Sequence, residues 1–132
     1  LLVHDPVSME PVMAPGGALE TIEALRGQGV VRWIGLGQRR HDFHRLAIES
    51  GRFDVLLTFN DFHPLRTTAA TGGLLERAAD AGVGVLNGSP LSFGLLVADL
   101  DDPAVWERFA WQPRERERCV AFQRLCRARG LS

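Results

Sequence analysis

At 132 residues the chain has the length of one ordinary domain, long enough to bury a real core. With 45% apolar and 23% charged residues it reads as a soluble globular protein, not a disordered one. A net charge of −1 makes no electrostatic case for nucleic acid or an anionic membrane; no apolar run approaches the roughly 20 residues of a membrane span, and no secretory signal stands out.

Residues 1–4 open the chain as a short apolar run. Ala18, Ile22 and Leu25 recur at i, i+4 and i+7, marking a helix that Gly27 and Gly29 stop. Residues 30–36 read as a strand from their β-branched and aromatic content. Phe43, Leu46 and Ala47 form a second helical stripe ending near Gly51, and residues 54–59 read as the next strand. Leu74, Leu75, Ala78 and Ala79 mark a third helix, stopped at Gly82 before a strand at 83–86. Near-continuous apolarity suits strands buried on both faces of a parallel sheet. Strand starts near 1, 30, 54 and 83 give the spacing that a β-helix-parallel-β connection needs. Gly88, Ser89 and Pro90 form a turn beyond the last strand, where small residues let backbone N–H groups approach a phosphate. Residues 95–102 read as an Asp-rich loop. Pro103 opens a short helix with Trp106 and Phe109. Pro113 opens another, in which the charges at 114–118 form a solvated face ahead of Val120, Phe122, Leu125 and Cys126. Trp106 and Trp111 read as helix-packing residues.

Four βα units fit half of an eight-stranded barrel or part of a doubly wound sheet. No G-x-G-x-x-G follows a strand, and Gly35-Leu36-Gly37 lacks the third glycine, so a nucleotide fold of that type loses ground. In either fold, ligands belong beyond the carboxyl ends of the strands. The chain has no Tyr and no Lys; its 15 basic residues besides His are all Arg. Schiff-base chemistry, lysine-assisted acid catalysis and phenolic proton donation are therefore excluded within these residues. Cys119 and Cys126 share a helical face two turns apart, about 10 Å, and read as reduced thiols, which points to the cytoplasm. His41 and His44 also share a face, but no third ligand of suitable type is near, so no metal is expected. The chain opens without Met and stops directly after a helix, and it reads as an internal piece of a longer protein.

Four motifs in order carry a family resemblance: Leu2-Val3-His4-Asp5; the helix-turn-strand L-x-x-x-G-x-V-R-x-I-G at residues 25–35; Phe53-Asp54-Val55-Leu56-Leu57; and Ser89-Pro90-Leu91 after an apolar strand. Together they resemble strands four to seven of the aldo-keto reductase barrel, most closely its sugar-oxidising aldose dehydrogenase branch. The resemblance implies the fold class α/β, a partial (β/α)8 TIM barrel with about four parallel βα units plus C-terminal helices. Residues 1–132 would form a single incomplete barrel domain.

The family's activity rests on an Asp, a Tyr, a Lys and a His. Only His4 has a counterpart here, placed to hydrogen-bond the substrate's carbonyl or hydroxyl oxygen. The bland alternative for His4 is a buried strand-end histidine satisfied by a backbone carbonyl, while Asp5 reads as a turn residue. For the cofactor, NAD or NADP, the resemblance implies Gln38 where many members have Ser-Asn on the nicotinamide amide. A family Gln falls on Phe59, and the neighbouring Asn60 is its substitute; Ser89 and Leu91 keep the pattern that supports the pyrophosphate. The aromatic that stacks on nicotinamide in many members falls on Gly88. The implied function is part of an NAD(P)-dependent oxidoreductase acting on a small sugar or aldehyde, with no nucleic acid and no membrane as partner. A non-catalytic βα-barrel-like binding or interaction module, lacking Tyr and Lys, is the alternative.

Overall fold

The computed structural model describes residues 1–109 and 113–131. Strands β1 (Leu2–His4), β2 (Gly35–Gly37), β3 (Val55–Phe59) and β4 (Gly84–Gly88) form one parallel sheet in the order β1-β2-β3-β4. Helices α1 (Glu10–Met13), α2 (Ala18–Gly27), α3 (His41–Ser50), α4 (Thr68–Thr71) and α5 (Leu74–Asp80) lie between the strands in sequence. A 3-10 turn (Ser92–Val97), α6 (Pro103–Arg108) and α7 (Pro113–Ala128) follow. Each strand pairs with its predecessor, so the strand order never reverses. A doubly wound sheet has that reversal and a (β/α)8 barrel does not. The fold is therefore four consecutive βα units of a partial (β/α)8 barrel, with helices after them. Its contacts divide into two compact units: Leu1–Phe59 with Thr68–Gly88, and Asn60–Thr67 with Ser89–Ser132.

Strand register explains the core of the first unit. Val3, Leu36, Leu56 and Val85 stand in one cross-strand row. They pack with Leu19 and Ile22 of α2, Phe43 and Ala47 of α3, and Leu74 and Ala78 of α5. The next row on the opposite face is Leu2, Gly35, Val55, Gly84: large residues on odd strands, glycine on even ones. Barrel interiors are layered in this way, alternate strands filling each layer. A Cβ on Gly35 would fall 2.1 Å from Leu2 Cδ2 and 2.6 Å from Val55 Cγ1. Leu2 and Val55 thus close over the glycine.

Helices α2, α3 and α5 end as their glycines predict, with Gly29, Gly51 and Gly82 all at positive φ between the helix and the next strand. Other expectations are corrected. Residues 30–34 precede β2 instead of belonging to it: the Val30 N–H closes α2 on Leu25 O, and the Asp54 carboxylate takes the Ile34 N–H at 2.8 Å. With its donors drawn elsewhere, that stretch leaves Val30 and Trp33 exposed. At the other edge, β4 continues through Asn87 and Gly88, so the turn begins only at Ser89. Burial on both faces holds for β2 alone; β3 alternates, and β1 and β4 leave the helix-free face partly exposed. In α2 the buried stripe starts at Leu19 rather than Ala18, and in α3 His44 is buried while Leu46 is exposed.

In the second unit, the expected loop at 95–102 begins as part of the 3-10 turn, and Leu95 and Leu96 are buried. These two, with Leu65, Phe109 and Cys119, make its core. In α7 Cys119 is fully buried, with Phe122 beside that core and Leu125 exposed. Cys119 and Cys126 are both free thiols. Trp106 is half-buried and donates to Leu100 O, whereas Trp111 lies outside the described residues.

Candidate functional site

His4 ends β1 on the face turned away from the helices. It pairs in register with Gly37, and its Cδ2 lies 3.3 Å from where a Gly37 Cβ would stand. The glycine lets the imidazole lie across β2. The side chain is 70% exposed, and its Nδ1 is 3.6 Å from Asp5 Oδ2, an electrostatic contact longer than a hydrogen bond. His4 is therefore not the buried, carbonyl-satisfied histidine of the bland alternative. Asp5 turns the chain at φ 44° after donating its N–H to Gly37 O.

Gln38 follows β2 and is committed locally. Its Nε2 donates to Pro6 O at 3.0 Å, and its Oε1 accepts the N–H groups of Arg39 and Arg40. The side chain ties the turn after β1 to the turn after β2. Arg40 closes on the Asp42 carboxylate through Nε and Nη2. Arg39 instead sits over the Phe59 ring, 4.5 Å from its centroid. Phe59 pairs with Gly88 across β3 and β4, and its Cδ2 is 3.3 Å from where a Gly88 Cβ would stand. An aromatic ring thus covers Gly88 from the neighbouring strand. The signal was present in the sequence as a large-small pair, but only the register joins its two halves.

Asn60, in the second unit, follows β3 in the chain at φ 53°. Its carbonyl accepts from Arg66 Nη1 at 3.1 Å, and Arg66 Nη2 reaches the Glu115 carboxylate of α7. Asn60 Oδ1 is buried and accepts no hydrogen bond among the described residues. His63 and Arg66 exchange two backbone hydrogen bonds in a tight turn, and His63 Nδ1 accepts the Leu65 N–H. Burial, reinforced by the Arg66 charge, holds the His63 pKa below its ordinary range.

Ser89 follows β4 at φ 55°, its Oγ accepting the Phe93 N–H at 3.1 Å. Leu91 is partly exposed and, with Pro64, Pro90, Leu96 and Phe122, lines an apolar groove of about 480 Å³. Left-handed residues other than glycine are uncommon and can cost about 1 kcal/mol or more each. Here Asp5, Asn60 and Ser89 each adopt that conformation directly after a strand. Strain of this kind clusters at functional sites. Among the described residues, no three His, Cys, Asp or Glu side chains gather as metal ligands, and no helix is long and apolar enough to cross a membrane.

The family profile of the aldo/keto reductases matches residues 1–132. The chain belongs to the aldo/keto reductase family. This aldo/keto reductase chain is similar to D-threo-aldose 1-dehydrogenase of Pseudomonas sp, at 29% identity over 96 residues, which is 73% of this chain. It spans 29% of the length of that relative. Its parallel strands, paired in chain order, are those of the family's barrel.

Proposed function

We propose that this chain is the β4-to-β7 portion of an NAD(P)-dependent oxidoreductase acting on a small sugar or aldehyde in the cytoplasm. The observation that carries the reading is His4: exposed, at a strand end, on the helix-free face, and laid over Gly37. A nicotinamide nucleotide, when bound, supplies or accepts the hydride that interconverts a carbonyl or anomeric carbon with its reduced form. His4 donates a hydrogen bond to the substrate oxygen and stabilises the negative charge that develops there. The proton donor is a tyrosine outside these residues, since the chain has neither Tyr nor Lys.

The fit of the nucleotide rests on an orphaned acceptor. Asn60 Oδ1 is buried without a partner among the described residues, a situation that costs about 1–3 kcal/mol and suits a ligand amide that donates to it. Ser89, by its hydroxyl, and Leu91, by its backbone, are the proposed pyrophosphate contacts. Gln38 contributes by holding the Pro6 turn, and it would have to release Pro6 to offer its amide to a ligand. The similarity to an aldose dehydrogenase supports a sugar over other carbonyl compounds.

The test is an assay of the full-length gene product with NAD or NADP against L-galactose, L-fucose and simple aldehydes. Cofactor-dependent turnover that falls steeply in His4→Ala supports the reading. No turnover with any of them, together with no dinucleotide binding, returns the chain to the non-catalytic alternative.

A further inference from the structure

Arg39 has no carboxylate partner among the described residues, while the adjacent Arg40 is closed onto Asp42. Its guanidinium rests over the Phe59 ring, 4.5 Å from the centroid. Stacking of this kind holds a guanidinium in place yet leaves its in-plane N–H fork open for a bidentate carboxylate or phosphate. The position is specific. Arg39 lies two residues beyond Gly37, the last residue of β2, at the end of the sheet where barrel ligands bind. Phe59 shares the helix-free face with His4, because His4 pairs with Gly37, Gly37 with Leu57, and Phe59 is two residues further along β3. Two strand spacings and two residue rises separate the His4 and Phe59 Cα atoms by roughly 12 Å.

Resting on the oxidoreductase reading above, we propose that Arg39 is an anion anchor and that the substrate is a small sugar or aldehyde bearing a carboxylate or phosphate remote from its reacting carbon. His4 meets the oxygen on the reacting carbon, and Arg39 meets the charged end. Phe59 keeps the guanidinium turned toward the helix-free face. The Asp42 carboxylate does not compete, since Arg40 already holds it.

The experiment compares matched substrates on the full-length protein and its Arg39→Gln variant: galacturonate against galactose, 4-oxobutanoate against butanal, and glyceraldehyde 3-phosphate against glyceraldehyde. The readout is the ratio of kcat/KM for the charged over the neutral member. A preference of at least ten-fold that collapses in Arg39→Gln, returns in part in Arg39→Lys and weakens in Phe59→Leu is the expected result. NAD and NADP affinities, titrated by tryptophan fluorescence, should stay as in the wild type. No charged preference, or a ratio unmoved by Arg39→Gln, overturns the proposal while leaving the oxidoreductase reading intact. Weakening confined to a dinucleotide overturns it too, by assigning Arg39 to a cofactor phosphate. If no substrate turns over, the oxidoreductase reading fails. NMR saturation transfer to galacturonate but not galactose, lost in Arg39→Gln, then still supports an anion anchor, and equal transfer to both overturns it.

Discussion

His4 and Ser89 stand at the ends of different strands and should fail differently. Removing one aligned donor to a developing oxyanion typically lowers the rate about 10²–10³-fold, roughly 3–4 kcal/mol. His4→Ala in the full-length protein should therefore lower kcat by that factor with little change in cofactor affinity. Ser89→Ala should raise the cofactor KM a few-fold with kcat nearly kept, as for lost uniform binding. Near-normal turnover in His4→Ala, measured by steady-state kinetics, would falsify the role given to His4. His63 carries a separate prediction about pH. Its folded pKa lies below the ordinary 6.5 because burial disfavours the imidazolium and Arg66 repels it. The unfolded chain then binds more protons in the window between the two values, so stability rises with pH across it. The contribution is present in full above 6.5 and is lost as pH falls from there through the folded value. Melting temperatures between pH 8 and pH 5 should decline in the wild type and flatten in His63→Asn, whose amide oxygen can still accept the Leu65 N–H. Equal slopes in both proteins would remove His63 from the account.

Among the elements, β2 is the tightest. Its three residues are all buried, and both of its glycines lie under neighbouring side chains, Gly35 under Leu2 and Val55, Gly37 under His4. Gly35→Ala would drive a methyl group against Leu2, Val55 Cγ1 and the Val55 carbonyl, the last at 2.8 Å. The side chains can turn aside, but the carbonyl cannot without moving β3, so the substitution should cost about 1–3 kcal/mol. Chemical denaturation should show a lower midpoint with an unchanged slope. Gly27→Ala, inside α2 where a Cβ would meet nothing within 4 Å, serves as the control and should leave the midpoint in place or raise it slightly. The single-turn helices α1 and α4 are too short to show a stripe, whereas helices α2, α3 and α5 were readable from their stripes and terminal glycines. The limits of β2 were not, because they depend on the Asp54 carboxylate capturing the Ile34 N–H from 20 residues away.

For the molecule as a whole, the prediction concerns what these 132 residues do when made alone. Without Tyr or Lys, hydride transfer has no phenolic or ammonium proton source, so the isolated chain should show no oxidoreductase activity with NAD or NADP. Its sheet ends on β1 and β4, parallel strands whose outer N–H and C=O groups are unpaired in the sheet, and Leu86 on β4 is half exposed. Open apolar edges recruit other strands. Light scattering should find the isolated chain self-associated or aggregated. A sharp monomer peak with cooperative thermal unfolding would sink this expectation and show that the sheet is self-sufficient.

The sequence by itself determined the order of the βα units, the helix stops, the family and the exclusion of a phenolic donor, because all four reside in local pattern and composition. It also put His4 at a strand end, Gln38, Asn60 and Ser89 just beyond strand ends, and Leu91 in the turn that follows Ser89, since the chain leaving a strand is covalently tied to it. Only the tertiary structure decided which face each strand residue took, because side chains alternate with period two and a one-residue change of pairing reverses every one. It alone laid His4 over Gly37 and Phe59 over Gly88, and left Arg39 on the Phe59 ring while Arg40 took Asp42. It alone joined Arg66 to Glu115, 49 residues apart. Such pairs have no sequence signature. They exist only because strand register and helix docking bring distant residues within a few ångströms.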